Sequence, residues 1–204
     1  TPAPTPAPAE NITCIIWGDP HIVTFDLMRT VRTNFWDERN RNWDTRGHWG
    51  LGGHIVPDFF KTGDYWVVTS AQVHIQGRYS LSGGYALDGL AFGGPFLDGH
   101  TLVVDRLWDG RARAQWDGQE VSIRGGFAVK GLVNITNTQY FSTWGFASAT
   151  IQLPEGVSIR INRNVWNTGR SASVSGYINM RKQLDGQDGH CGKADGNLDD
   201  DTKE

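Results

Sequence analysis

An antiparallel β-sandwich of two packed sheets joined by long loops, an all-β fold, is what three features of the sequence predict. Short runs of alternating or β-branched residues follow one another from residue 60 onward. Glycine turns separate them, with Gly-Gly pairs at 52–53, 83–84, 93–94 and 125–126. No stretch carries a long helical period. Many short strands with glycine turns close as a sandwich or a barrel.

The chain opens on "TPAPTPAPAE", residues 1–10. Proline at every second position blocks helix and ladder pairing and favours extended polyproline II, so this reads as a semi-rigid linker. The β domain is expected over 11–204. It starts with "CIIWGDPHIVTFD", residues 14–26, a turn followed by a β-like run that ends on Asp26. Residues 27–58 lack a clean period of two and read as a long excursion from the sheet. Loops of that length are commonly functional or disordered. Its tryptophans Trp36, Trp43 and Trp49 argue against disorder. With the neighbouring arginines they are a candidate partner surface, since Trp and Arg dominate interface hot spots. Indole faces also stack on sugars, and the same tryptophans read equally well as a cap on the sandwich.

Strands are expected in "DYWVVT" and "AQVHIQGRY", then in a meander, "HTLVVDRLWDGRARAQWDGQEVSI". Each of its two Trp-Asp-Gly turns, 108–110 and 116–118, puts Asp-Gly where a tight hairpin needs positive φ. "ATIQLPEGVSIRINRNVW" and "SASVSGYINM" supply more strands.

Length and charge narrow the function classes. A chain of 204 residues buries a core without many staples. The net charge of −3 leaves no basic field for nucleic acid. Acid is concentrated instead: residues 185–204 hold seven acids against two lysines, a net of −5. Such a cluster suits a hard cation. No apolar run reaches the roughly 18 residues of a membrane helix. The start at Thr1 reads as a mature or trimmed piece of something longer. Two Asn-Ile-Thr sequons, at Asn11 and Asn134, join the proline-rich leader and the pair of cysteines in favouring a secreted or cell-surface glycoprotein.

The opening "C-x-x-x-G-D-P-H-x-x-T-F-D" and the closing "H-C-G-K-A-D-G-N-L-D-D-D", residues 190–201, together resemble the von Willebrand factor type D domain. That family begins with a Cys…GDPHxxTFD segment and ends with a CGNxNGxxxDD segment. The likeness spans about residues 14–201 and includes the interior "WDGQEVSI". It implies a disulfide between Cys14 and Cys191 that closes the domain. It also implies a Ca2+ site made by Asp26, Asp195, the backbone carbonyl of Asn197, Asp200 and Asp201. Lys193 departs from the pattern: the family has an asparagine ligand there, and an ammonium cannot ligate calcium. The chemistry agrees without the family, because "DGNLDDD" offers oxygens bent around a glycine, without the spacing of an EF-hand. The family's other cysteines are missing, so disulfide-linked multimers are not expected.

The resemblance implies an extracellular, non-enzymatic module serving assembly or adhesion, with other extracellular modules or further copies as partners. A glycan-binding module using the Trp-rich segment is the alternative, and a secreted enzyme the third. No Gly-x-Ser-x-Gly, HExxH or Walker loop occurs. Some relatives cleave themselves at the Asp-Pro bond of the GDPH turn. Here that assigns Asp19, Pro20 and His21 as a candidate cleavage site, beside the simpler reading of a tight turn before a strand.

Overall fold

The computed structural model describes residues 10–18, 20–30, 50–51, 54–55, 59–81, 85–142, 145–166 and 171–201. The proline-rich residues 1–9, the Trp36, Trp43 and Trp49 surface, and Asp19 of the candidate cleavage turn lie outside them. In chain order the elements are β1 (Asn11–Trp17), β2 (His21–Val23), a short helix α1 (Phe25–Thr30), β3 (Gly50–Leu51) and β4 (His54–Ile55). There follow β5 (Gly63–Ser70), β6 (His74–Tyr79), β7 (Leu87–Gly93), β8 (Leu102–Asp105), β9 (Arg113–Trp116) and β10 (Gln119–Val121). The last are β11 (Phe127–Val129), β12 (Val133–Phe141), β13 (Gly145–Gln152), β14 (Ser158–Trp166), β15 (Ser171–Arg181) and β16 (Gln187–Asp188).

The expected sandwich is what these strands build. One seven-stranded sheet has the order β11-β12-β13-β14-β15-β1-β2, the other β10-β9-β8-β7-β6-β5-β16, and every pairing is antiparallel. A small β3–β4 pair stands apart. The four outermost strands hold only two or three residues each. Edges that short offer little template for pairing with another chain.

Alternation explains most strands. In β14, Ile159 and Ile161 face the core while Arg160 and Asn162 face outward. Phe146, Ile161 and Ile178 of the first sheet share one core with Tyr79, Leu90 and Phe92 of the second, and each is at most 2% exposed. β1 breaks the alternation because both its faces are covered. Ile12, Cys14 and Ile16 enter the main core, whereas Ile15 packs outward with Val23 and with Leu27 of α1. This corrects the reading of Asp26 as the end of a β-like run: it lies in the first turn of α1.

Of the two Trp-Asp-Gly turns, one is the expected hairpin. Asp117 and Gly118, at φ 50° and 77°, join β9 to β10 with Trp116 opposite Gln119. The other is a wider connection between β8 and β9, bent at Arg106 and Gly110 with φ of 57° and 77°. It is drawn toward the first sheet. The Phe146 amide donates to the Gly110 carbonyl (2.8 Å), and Arg163 Nε donates to the Trp108 carbonyl (2.6 Å). A side chain at Gly145 would collide with that same Gly110 carbonyl.

Tyr79 is the buried polar aromatic of the core. Its hydroxyl lies 3.1 Å from His190 Nδ1, and burial pushes its ionisation well above the usual tyrosine range. Tyr79→Phe is expected to cost about 1 kcal/mol, the net worth of one such hydrogen bond. Urea unfolding checks it; an unchanged midpoint would show the pair to be inert.

Both sequon asparagines are exposed, Asn11 at the start of β1 and Asn134 in β12, where Asn134 Nδ2 donates to Gln152 Oε1 (3.1 Å). Among the described residues no helix is long and apolar enough to cross a membrane.

Candidate functional site

The two cysteines meet: Cys14 of β1 and Cys191 form a disulfide across a sequence separation of 177, and neither is exposed. The chain reaches it through β16, which pairs with β5 in the register Gln187↔Ser70 and Asp188↔Thr69. Gly189 then turns at φ 111°. The His190 amide donates to the Trp66 carbonyl (2.9 Å) and the Cys191 amide to the Val67 carbonyl (3.0 Å). The Cys191 carbonyl in turn accepts from the Phe25 amide (2.8 Å). One residue therefore joins β1 of the first sheet, β5 of the second and the start of α1.

Beyond Cys191 the chain folds back under α1. Thr24 caps that helix: its Oγ1 accepts from the Leu27 amide (3.3 Å) and donates to Asp201 Oδ2 (2.6 Å). Asp201 Oδ1 accepts from the Lys193 amide (3.0 Å), and Asp26 Oδ2 accepts from the Asp195 amide (3.0 Å). Asp26 and Asp201 are only 2% and 4% exposed. Gly192, at φ +79°, lets the backbone pass the Asp201 carboxylate, with which a β-carbon would collide. Lys193 Nζ lies 3.1 Å from Asp200 Oδ2, and the Lys193 carbonyl accepts from Gln187 Nε2. The other oxygen of Asp200 is buried and has no hydrogen-bond partner.

Charge in this loop is under tension. Burial pushes the Asp201 carboxyl above the usual carboxylate range, and the nearby charges of Asp26 and Asp200 add to the effect. The hydrogen bonds from Thr24 and Lys193 pull it back. The Asp200 carboxylate raises the Lys193 ammonium in turn.

Of the residues assigned to calcium, Asp201 lies within electrostatic reach of Asp26 and of Asp200. Asp195 and Asn197 are exposed, and their side chains close their own turns. Asp195 Oδ1 accepts from the Asn197 amide (2.9 Å) and Asn197 Oδ1 from the Asp199 amide (3.2 Å). Among the described residues no three carboxylate, imidazole or thiolate groups converge as a ready-made metal cage. Thr24 and the Lys193 amide and ammonium take the positions facing the acid oxygens. The donor set still has the chemistry a hard divalent ion needs. Three carboxylates against one ammonium leave an excess of negative charge, and one carboxylate oxygen is buried with no partner.

Two residues that hold the loop carried no functional assignment from sequence: Thr24 and the buried Gln187. Thr24 does bear a signal, a threonine immediately before a run that becomes helix. Gln187 bears none. At the GDPH turn, the Pro20 carbonyl accepts from the Phe59 amide (3.0 Å). His21 starts β2 opposite Trp17, with ring centroids 4.5 Å apart, and both Pro20 and His21 are buried.

Compared with known proteins, the chain matches no family model and no curated protein. The likeness to the von Willebrand factor type D domain therefore rests on its own motif residues.

Proposed function

We propose that this chain is a calcium-stabilised, disulfide-closed β module of a larger extracellular protein, similar to a von Willebrand factor type D domain, that serves assembly or adhesion. The observation that carries the reading is the buried, unpartnered oxygen of Asp200, next in sequence to the buried carboxylate of Asp201, which also feels the charge of the buried Asp26. Asp26, Asp200 and Asp201 would hold the ion. Bound there, calcium would neutralise the acids and tie α1 to the closing loop. The extracellular setting is supported by the disulfide, since such bonds persist in oxidising compartments. Extracellular modules commonly bind calcium with dissociation constants of about 0.1–1 mM, and two or three side-chain carboxylates suit that weak range.

Calorimetric titration of chelator-treated protein, together with thermal melts, tests it. A heat of binding is expected at millimolar calcium. At tenfold excess over the dissociation constant the stabilisation is about 1.4 kcal/mol. For a domain of this size that is a rise of about 3–6 °C in melting temperature. No heat and no shift at millimolar calcium would remove calcium from the account.

A further inference from the structure

We propose that the Lys193 ammonium is a built-in cation of the closing loop, one that sits on Asp200 in the metal-free molecule and must leave it before a divalent ion can bind. The inference rests on the calcium reading above and deepens it.

Lys193 is held in place by more than its charge. Its amide donates to Asp201 Oδ1 and its carbonyl accepts from Gln187 Nε2. The backbone is thus pinned between β16 and the acid at the loop's end. From that anchor the side chain reaches Asp200, next in sequence to Asp201, with Nζ 3.1 Å from Oδ2. One residue therefore addresses both adjacent carboxylates, Asp201 through its amide and Asp200 through its ammonium.

An ammonium this close opposes a divalent ion twice. It occupies one oxygen of a carboxylate that the ion needs, and it repels a second cation at the same place. It also supplies no ligand atom, having donors only. Its benefit falls on the metal-free protein. The charges of Asp26 and Asp200 both act against that of Asp201, and Lys193 offsets part of this through its pairing with Asp200. The loop then keeps its shape at low calcium. As a partly exposed pair, Lys193–Asp200 contributes little to stability by itself. Its larger effect is on what else can bind.

Lys193→Met and Lys193→Asn separate charge from ligation. Methionine removes the charge and keeps the length; asparagine removes the charge and adds an oxygen. Calcium affinity by calorimetry and melting temperature in chelator and in calcium are read for all three proteins. The Met variant is expected to bind calcium about tenfold tighter than wild type, equivalent to about 1.4 kcal/mol, and the Asn variant tighter still. Both are expected to melt lower than wild type in chelator and to gain more on adding calcium. Binding by the wild type, with the Met variant unchanged within about twofold, overturns the role of Lys193 and leaves the calcium module standing. Binding by the variants, with none by wild type at millimolar calcium, supports the role of Lys193 and removes calcium as this chain's own ion. Absence of binding by all three overturns both.

Discussion

Reduction of Cys14–Cys191 is expected to destabilise the domain more than any other single change at the site. The bridge closes a loop of 177 residues. Loop-closure entropy alone assigns about 5 kcal/mol to a loop of that length, as an upper value. For a domain of this size that is a fall of about 10–20 °C in melting temperature. The effect also has a local side. Cys191 carries backbone hydrogen bonds to Val67 and from Phe25, so the bridge fixes β5 and α1 against β1. Cys14→Ser and Cys191→Ser are both expected to show the loss, and the reduced wild type should match them. Because both sulfurs are fully buried, reductant should act only as the protein opens. Thermal melts with and without reductant, with thiol alkylation of the folded protein, check both points. Rapid alkylation under native conditions, or a loss below about 1 kcal/mol, would show that the bridge closes nothing.

How far the sequence reached can be argued from particular residues. The strands were legible because two signals agree in them. Alternation such as Ile159–Arg160–Ile161 sets the face, and Asp117–Gly118 sets the turn. The helix α1 was not legible. Six residues are under two turns, too few for a period to show. Its apolar residue Leu27 meets Ile15 and Val23, which pair directly across β1 and β2, on their outer side. Trp108–Gly110 carried the same triplet as Trp116–Gly118 but serves another purpose. Its carbonyls are taken by Arg163 and Phe146 from the opposite sheet, so tertiary contacts override local turn chemistry there.

At the site, the meeting of Cys14 with Cys191 followed from the motif. The closing of local turns by the Asp195 and Asn197 side chains did not. Asp and Asn side chains bond readily to the amide two residues on, and in an exposed loop nothing outbids that local partner. The ion pair of Lys193 with Asp200 was equally hidden, because it depends on how the loop folds back and not on spacing alone.

Gly189→Ala is the second change expected to have a large effect, and it tests the approach of the closing loop to β5. Gly189 has φ +111°, a conformation that side chains rarely adopt. An added β-carbon would lie 2.8 Å from the Val67 carbonyl oxygen and 2.9 Å from that of Trp66. Those oxygens are the acceptors for Cys191 and His190. The backbone must then retreat, and both hydrogen bonds lengthen or break beside the disulfide. Backbone strain of about 1–2 kcal/mol adds to about 1 kcal/mol for each hydrogen bond. The expected loss is about 3–4 kcal/mol, or roughly 10 °C in melting temperature. Gly186→Ala is the matched control. Gly186 also has positive φ, +82°, but an added β-carbon there meets nothing within 4 Å. It should cost only the backbone strain, about 1 kcal/mol. Urea unfolding of both variants separates the two contributions. A Gly189→Ala loss several times that of Gly186→Ala places the cost in the Trp66 and Val67 carbonyls. Equal losses would mean that the closing loop does not depend on this close approach to β5.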